Sequence, residues 1–101
     1  MPKPNLPTWF VYILRCADRS LYTGVTTDLP RRLRQHNAGT ASRYTRSRLP
    51  VELTYWEKAG SHGAALQREV AIKRLTRSAK EQLIAGKRQR ARKGTSRAAS
   101  C

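Results

Sequence analysis

A small α/β domain, a three-stranded mixed or antiparallel sheet flanked by helices in the order β-β-α-β-α-α, is the fold class this sequence predicts. Three observations carry it. Two strand-forming runs, Trp9 to Cys16 and Leu21 to Thr26, stand on either side of a short polar turn; a helix start signal follows at Asp28; and a third strand-forming run, Val51 to Trp56, precedes two further segments with capping residues.

The first seven residues hold three prolines and read as an extended leader ending at Thr8. Trp-Phe-Val-Tyr-Ile-Leu-Arg-Cys is aromatic and β-branched with no polar alternation, the pattern of a strand buried on both faces. Ala17-Asp18-Arg19-Ser20 is the turn of a hairpin. Asp28 can accept from the free N–H groups of a helix, and Pro30 loses nothing near its first position, so a helix is predicted from about Leu29 to Ala38, stopped by Gly39. Thr40 to Pro50 reads as a basic loop with an embedded aromatic. Ser61 can cap a second helix through Leu75, and Ser78 with Glu81 forms a capping box for a third, short one. From Gly86 the chain carries six Lys or Arg, no acid and only alanine as apolar content, so 86–101 is expected to be a disordered basic tail to a domain spanning 9–85. No internal repeat is present.

Length leaves room for one core and no second domain. Twenty-one Lys and Arg against six Asp and Glu give a formal charge of +15, which calls for a polyanionic partner; nucleic acid is the default, and a ribosomal-type RNA binder or a protein of an anionic membrane surface is the bland alternative. The N-terminus lacks the apolar run of a signal peptide, and the longest apolar stretch, Trp9 to Leu14, is far short of the ~20 residues a membrane-spanning helix needs. A cytoplasmic protein is expected. Cys16 and Cys101 have no zinc-like spacing and read as reduced thiols.

Chemistry concentrates on the first helix. Leu29, Arg32, Leu33 and His36 follow at i, i+3, i+4 and i+7, so the two leucines turn Arg32 and His36 toward the sheet while Arg31 and Arg34 face away. By itself Arg32 could be a side chain snorkelling at the rim of the core. Among the six acids, Asp18 has a turn to make, Asp28 and Glu81 have caps, and Glu52 and Glu57 lie near strand ends. Glu69, between Leu66 and Val70 on a side expected to face the domain, has no such task. It pairs with Arg68, Lys73 or Arg32, or it holds a cation of the Mg²⁺ type, which commonly uses one or two carboxylates, waters and a substrate phosphate.

Tyr12 in Val11-Tyr12-Ile13, Tyr22 in Tyr22-Thr23-Gly24, Arg32 eight residues after Gly24, and Glu69 in Glu69-Val70-Ala71-Ile72-Lys73 together form an ordered constellation. It resembles the GIY-YIG endonuclease family, and most closely its small single-domain members of the UPF0213 type. The resemblance spans Trp9 to Leu75. It implies the GIY-YIG nuclease fold, hydrolysis of DNA phosphodiesters of the kind used in DNA repair, and dependence on Mg²⁺ or Mn²⁺. It also implies a catalytic set of Tyr12, Tyr22, Arg32 and His36, with Glu69 as the metal ligand. Val25 stands where some repair enzymes of the family carry lysine, and no downstream asparagine equivalent is apparent; both are subgroup features.

Within that reading Tyr12 is the expected general base, with its phenolate favoured by Arg32, a metal and the overall positive field. Tyr22 orients water or phosphate, Arg32 stabilises the transition state, and His36 positions a tyrosine or touches the scissile group. Arg31, Arg34, Arg43, Tyr44, Arg46, Arg48 and Lys73 are expected to grip the nucleic acid, with Tyr44 able to stack on an unpaired base. Weak sequence preference follows, with branched, nicked or single-stranded DNA as candidate substrates and RNA open. The alternative is a non-catalytic nucleic-acid-binding module that keeps the fold. One further expectation is geometric. A two- or four-residue hairpin loop would put Tyr12 and Tyr22 on opposite faces, so a shared site requires an odd loop or a bulge between Cys16 and Leu21.

Overall fold

The computed structural model of the chain describes residues 7–92. It contains β1 (Trp9–Arg15), β2 (Leu21–Thr26), α1 (Leu29–Asn37), α2 (Arg43–Arg46), β3 (Glu52–Ala59), α3 (His62–Lys73) and α4 (Arg77–Arg92). The three strands form one antiparallel sheet in the order β2-β1-β3, so the most apolar strand is central. Val11, Tyr12, Ile13 and Leu14 are all buried, as a strand covered on both faces requires.

The faces of β1 divide the molecule into two layers. Val11 and Ile13 pack with Tyr55, Ala65, Ile72 and Ile84, which brings α3 and α4 to one side. Tyr12 and Leu14 pack with Cys16, Val51, Tyr22, Leu29 and Leu33, which brings α1 to the other. Asn37 ties the layers' connections together: its side-chain amide donates to the Val51 carbonyl at 3.1 Å and its carbonyl accepts from the Val51 N–H at 2.9 Å, a two-bond clamp between the end of α1 and the start of β3.

The hairpin has the odd register. Arg15 pairs with Leu21, leaving Cys16 to Ser20 as a five-residue loop, and Tyr12 pairs with Gly24 while Leu14 pairs with Tyr22. Both tyrosines therefore stand on the α1 face. Arg19 takes a left-handed conformation (φ 72) in that loop, and Asp18 accepts from the Ser20 N–H at 3.0 Å and from its hydroxyl at 2.5 Å.

Asp28 and Ser61 cap α1 and α3 as their sequence positions predict, accepting from Arg31 N–H at 3.1 Å and Ala64 N–H at 3.0 Å. Three local expectations are corrected. The stretch expected as a basic loop contains the one-turn helix α2, capped by Ser42. The hydroxyl that opens the last helix is Thr76, accepting from Ala79 N–H at 3.1 Å, and not Ser78; Glu81 forms no capping box because Arg15 on β1 holds its carboxylate with two bonds of 2.8 and 2.9 Å. Finally α4 passes through Gly86 to Arg92, so the boundary expected at Gly86 is not where the helix stops. The leader at 1–6 and the rest of the tail at 93–101 lie outside the described residues.

Candidate active site

Tyr12, Tyr22, Arg32 and His36 meet on the α1 face of the sheet. Tyr12 leans across Gly24, its cross-strand partner: a Cβ built at position 24 would lie 2.5 Å from the Tyr12 hydroxyl. Glycine is thus the residue that lets the phenol reach α1. There the Tyr12 hydroxyl is 2.9 Å from His36 Nε2, and His36 Nδ1 is 2.8 Å from Thr45 Oγ1. His36 and Thr45 are 0 % exposed and Tyr12 2 %, so solvent reaches this chain of polar atoms only at its Tyr12 end. The Tyr22 ring presents an edge-to-face contact to the same imidazole at 5.2 Å between centroids.

Burial determines the protonation of this cluster. It lowers the His36 pKa to about 4, helped by the positive charge of Arg32, so the imidazole is neutral at neutral pH. It raises the Tyr12 pKa, against the opposing pull of the neighbouring Arg32 guanidinium. At Tyr12, loss of hydration thus outweighs the favourable charge of the neighbouring Arg32.

Arg32 is half-buried, as the helix stripe predicts, while Arg31 and Arg34 are exposed. One Nη donates to Gln35 Oε1 at 3.1 Å, whereas the Nε is buried with no hydrogen-bond acceptor among the described residues. A buried, unsatisfied cationic donor is costly and is the kind of group that an incoming anion satisfies. Beside it a polar cleft of about 220 Å³ is lined by Thr26, Thr27, Asp28, Arg31, Arg32 and Gln35.

Glu69 lies on α3, in the layer across the sheet from α1, on the inward stripe with the buried Ala65 and Ile72, and it bonds to none of Tyr12, Tyr22, Arg32 and His36; Leu66 and Val70, expected inside, are exposed. Its carboxylate is mostly buried and pairs with Lys73 at 3.1 Å, one of the pairings its surroundings in the sequence allowed. Its charge still weighs on the Tyr12 phenol. Among the described residues no group of three or more His, Cys, Asp or Glu side chains could hold a metal ion. A lone carboxylate fits a hard cation that keeps most of its waters and takes further oxygens from a phosphate; it does not fit a zinc-type cage.

The other basic residues separate into two groups. Arg43 and Arg46 are exposed on α2, as Arg31 and Arg34 are on α1. Arg48 is engaged internally: it bonds Asp18 at 2.9 Å and the Tyr44 carbonyl at 2.9 Å, and its guanidinium lies 3.9 Å over the Tyr44 ring. Tyr44 in turn stacks on Tyr22 at 5.8 Å, so its ring extends the tyrosine cluster outward. The sequence reading missed Thr45. Only its position one residue after an aromatic in a Ser-x-x-Thr turn hints at a hydroxyl facing inward, and no periodicity in a four-residue helix could fix that.

A three-stranded antiparallel α/β domain with two tyrosines, a histidine and an arginine converging on one sheet face has the make-up of a small nuclease module. The GIY-YIG catalytic domain matches residues 8–82, and the chain belongs to that nuclease family. It is 53% identical to a UPF0213 protein of Natronomonas pharaonis, over 75% of this chain and 89% of that one. It is 46% identical to a UPF0213 protein of Klebsiella pneumoniae, over 77% and 74%. Two solution NMR structures share the fold. A UPF0213 protein of Bacillus halodurans has a TM-score of 0.53 at 42% identity, covering 79% of this chain and 85% of that one. A protein of E. faecalis has a TM-score of 0.57 at 39% identity, covering 85% and 92%.

Proposed function

We propose that this protein is a cytoplasmic, divalent-metal-dependent DNA endonuclease with weak sequence preference, acting through Tyr12, Tyr22, Arg32, His36 and Glu69. The observation that carries the reading is the buried, acceptor-less Nε of Arg32 beside a phenol whose hydroxyl meets a neutral imidazole. A phosphate in the adjoining cleft is the natural partner of this guanidinium, and phosphodiester hydrolysis needs what then surrounds it: a cation at the phosphorus and an acceptor for the proton of the attacking water.

In the mechanism we infer, the substrate phosphate neutralises Arg32. This removes the second of the two causes that hold His36 well below its ordinary pKa. The imidazole becomes a better proton acceptor when substrate is bound. As the water attacks phosphorus, its proton passes to the Tyr12 oxygen while the Tyr12 proton passes to His36 Nε2, so Tyr12 acts as the base without an isolated phenolate forming in the core. Tyr22, half-buried at the mouth of the cluster, orients the water or a phosphate oxygen. Arg32 holds the charge that grows on the pentacovalent phosphorus. A Mg²⁺ or Mn²⁺ ion held by Glu69 supplies, when bound, positive charge to the phosphate and the leaving oxygen. The exposed Arg31, Arg34, Arg43 and Arg46 meet the backbone, and Lys73 adds to them once Glu69 has a cation as its partner.

The second reading, a nucleic-acid-binding module without activity, draws on the Glu69–Lys73 pair, which gives the acid a structural task. Nicking of supercoiled plasmid with and without Mg²⁺ or Mn²⁺, compared with Glu69→Ala, separates the two. Metal-dependent nicking that disappears in the variant supports the nuclease; no nicking by either, with DNA bound by both, supports the binder.

A further inference from the structure

We propose that Thr45 is a positioning residue of the site: its hydroxyl holds His36 as the Nδ1–H tautomer and so aims the Nε2 lone pair at the Tyr12 proton. The tautomer follows from accounting for each hydrogen along the Tyr12–His36–Thr45 chain. Arg32, which also acts on the Tyr12 oxygen, can only donate. The Tyr12 hydroxyl needs an acceptor, and His36 Nε2 at 2.9 Å is one. If Nε2 carried the proton instead, the Tyr12 hydrogen would be left buried without a partner, since no other acceptor bonds it among the described residues. Nδ1 must then carry the hydrogen and give it to Thr45 Oγ1 at 2.8 Å, and the Thr45 hydroxyl donates onward to the Ser42 carbonyl at 3.3 Å. In this arrangement the hydrogens of Tyr12, His36 and Thr45 each have an acceptor.

The short helix α2 exists to hold that hydroxyl inward. Ser42 Oγ accepts from the Tyr44 N–H at 3.1 Å, and the Thr45 carbonyl accepts from the Arg48 N–H at 2.9 Å, closing the turn at both ends. Arg48 then fastens it to the hairpin loop through Asp18 at 2.9 Å and through Ala17 N–H to its own carbonyl at 2.9 Å. Adjacent residues thus serve the two phenols: Tyr44 stacks on Tyr22, and Thr45 acts on Tyr12 through His36.

The tautomer stands on geometry, whereas its catalytic consequence rests on the nuclease reading above; the test keeps them apart. The ring nitrogens of His36 are read by ¹⁵N NMR of the full chain at neutral pH in the native protein, Thr45→Val and Thr45→Ser, alongside metal-dependent plasmid nicking. The native protein is expected to show a protonated Nδ1 and an unprotonated Nε2. Thr45→Val, close in shape but without the hydroxyl, is expected to mix the tautomers and to lower turnover at saturating DNA by about tenfold or more, a share of what a positioned base contributes. Thr45→Ser is expected to restore both. A native Nε2–H form, or a Thr45→Ser protein indistinguishable from one lacking the hydroxyl, overturns the proposal, and the native and Thr45→Ser spectra decide it even if Thr45→Val does not fold. Tautomers as expected with no nicking by any form would support the positioning and overturn the nuclease.

Discussion

The Tyr12 hydroxyl and His36 Nε2 lie 2.9 Å apart across 24 residues of sequence, both on buried side chains, and the contact depends on the absence of a side chain at Gly24. Putting a methyl group at position 24 is therefore a direct test. Gly24→Ala is expected to displace the Tyr12 phenol, to destabilise the fold by about 1–3 kcal/mol as overpacked sites do, and to lose most cleavage. Thermal unfolding and the ¹⁵N resonances of His36 would register the change; an unaltered Tyr12–His36 contact in a fully active variant would contradict the account of the glycine.

Arg31 and Arg32 are neighbours in sequence with opposite surroundings. Arg32→Ala is expected to lower turnover on the order of a hundredfold or more, by analogy with the removal of other electrostatic stabilisers, and to weaken DNA binding only modestly. Arg31→Ala is expected to reduce affinity slightly and leave turnover at saturating DNA nearly unchanged. Equal behaviour of the two variants in single-turnover cleavage and filter binding would mean that the half-buried guanidinium has no special task.

Two groups should make stability depend on pH in separate windows. His36 has its folded pKa lowered to about 4, so the unfolded chain takes up a proton first as pH falls below about 6.5. The stability it contributes is complete above that value and declines on the order of 2–3 kcal/mol by pH 4. Glu81, lowered to about 2 chiefly by its hydrogen bonds with Arg15, holds its stabilisation above about pH 4.5 and loses it toward pH 2. Because that carboxylate is partly exposed, its contribution is screened to about 0.5–1 kcal/mol. Urea titrations across pH are expected to lose the upper window in His36→Gln and the lower one in Glu81→Gln; a slope between pH 6.5 and 4 that survives in His36→Gln would assign it to other groups.

Truncation after Gly86 tests the basic C-terminus. It removes Lys87, Arg88, Arg90, Arg92, Lys93 and Arg97 while keeping Leu83 and the buried Ile84 that anchor α4 to the core. Cooperative unfolding is expected to persist, with weaker DNA binding and a salt dependence shallower by about 0.7–0.9 for each phosphate no longer neutralised. A truncated chain that no longer unfolds cooperatively would mean that the last turns of α4 are needed for packing.

Much of this architecture was legible because local signals agreed with the tertiary fold. Aromatic and β-branched runs marked all three strands, Asp28 and Ser61 marked two helix starts, and the spacing of Leu29, Arg32, Leu33 and His36 separated the inward arginine from Arg31 and Arg34. Even the odd hairpin loop was foreseeable, since one site cannot use phenols on opposite faces of a sheet. What the sequence could not decide depends on contacts between distant segments. Thr76 opens α4 where Ser78 was equally suited, because Arg15 on β1 draws Glu81 away from a capping role. A single turn at α2 has no periodicity to reveal which residue faces inward, so Thr45 stayed hidden until tertiary packing set it against His36. The direction of the Tyr12 pKa shift was decided in the same way: charge can be counted along a chain, but the loss of hydration that outweighs it arises only when α1 closes over the sheet.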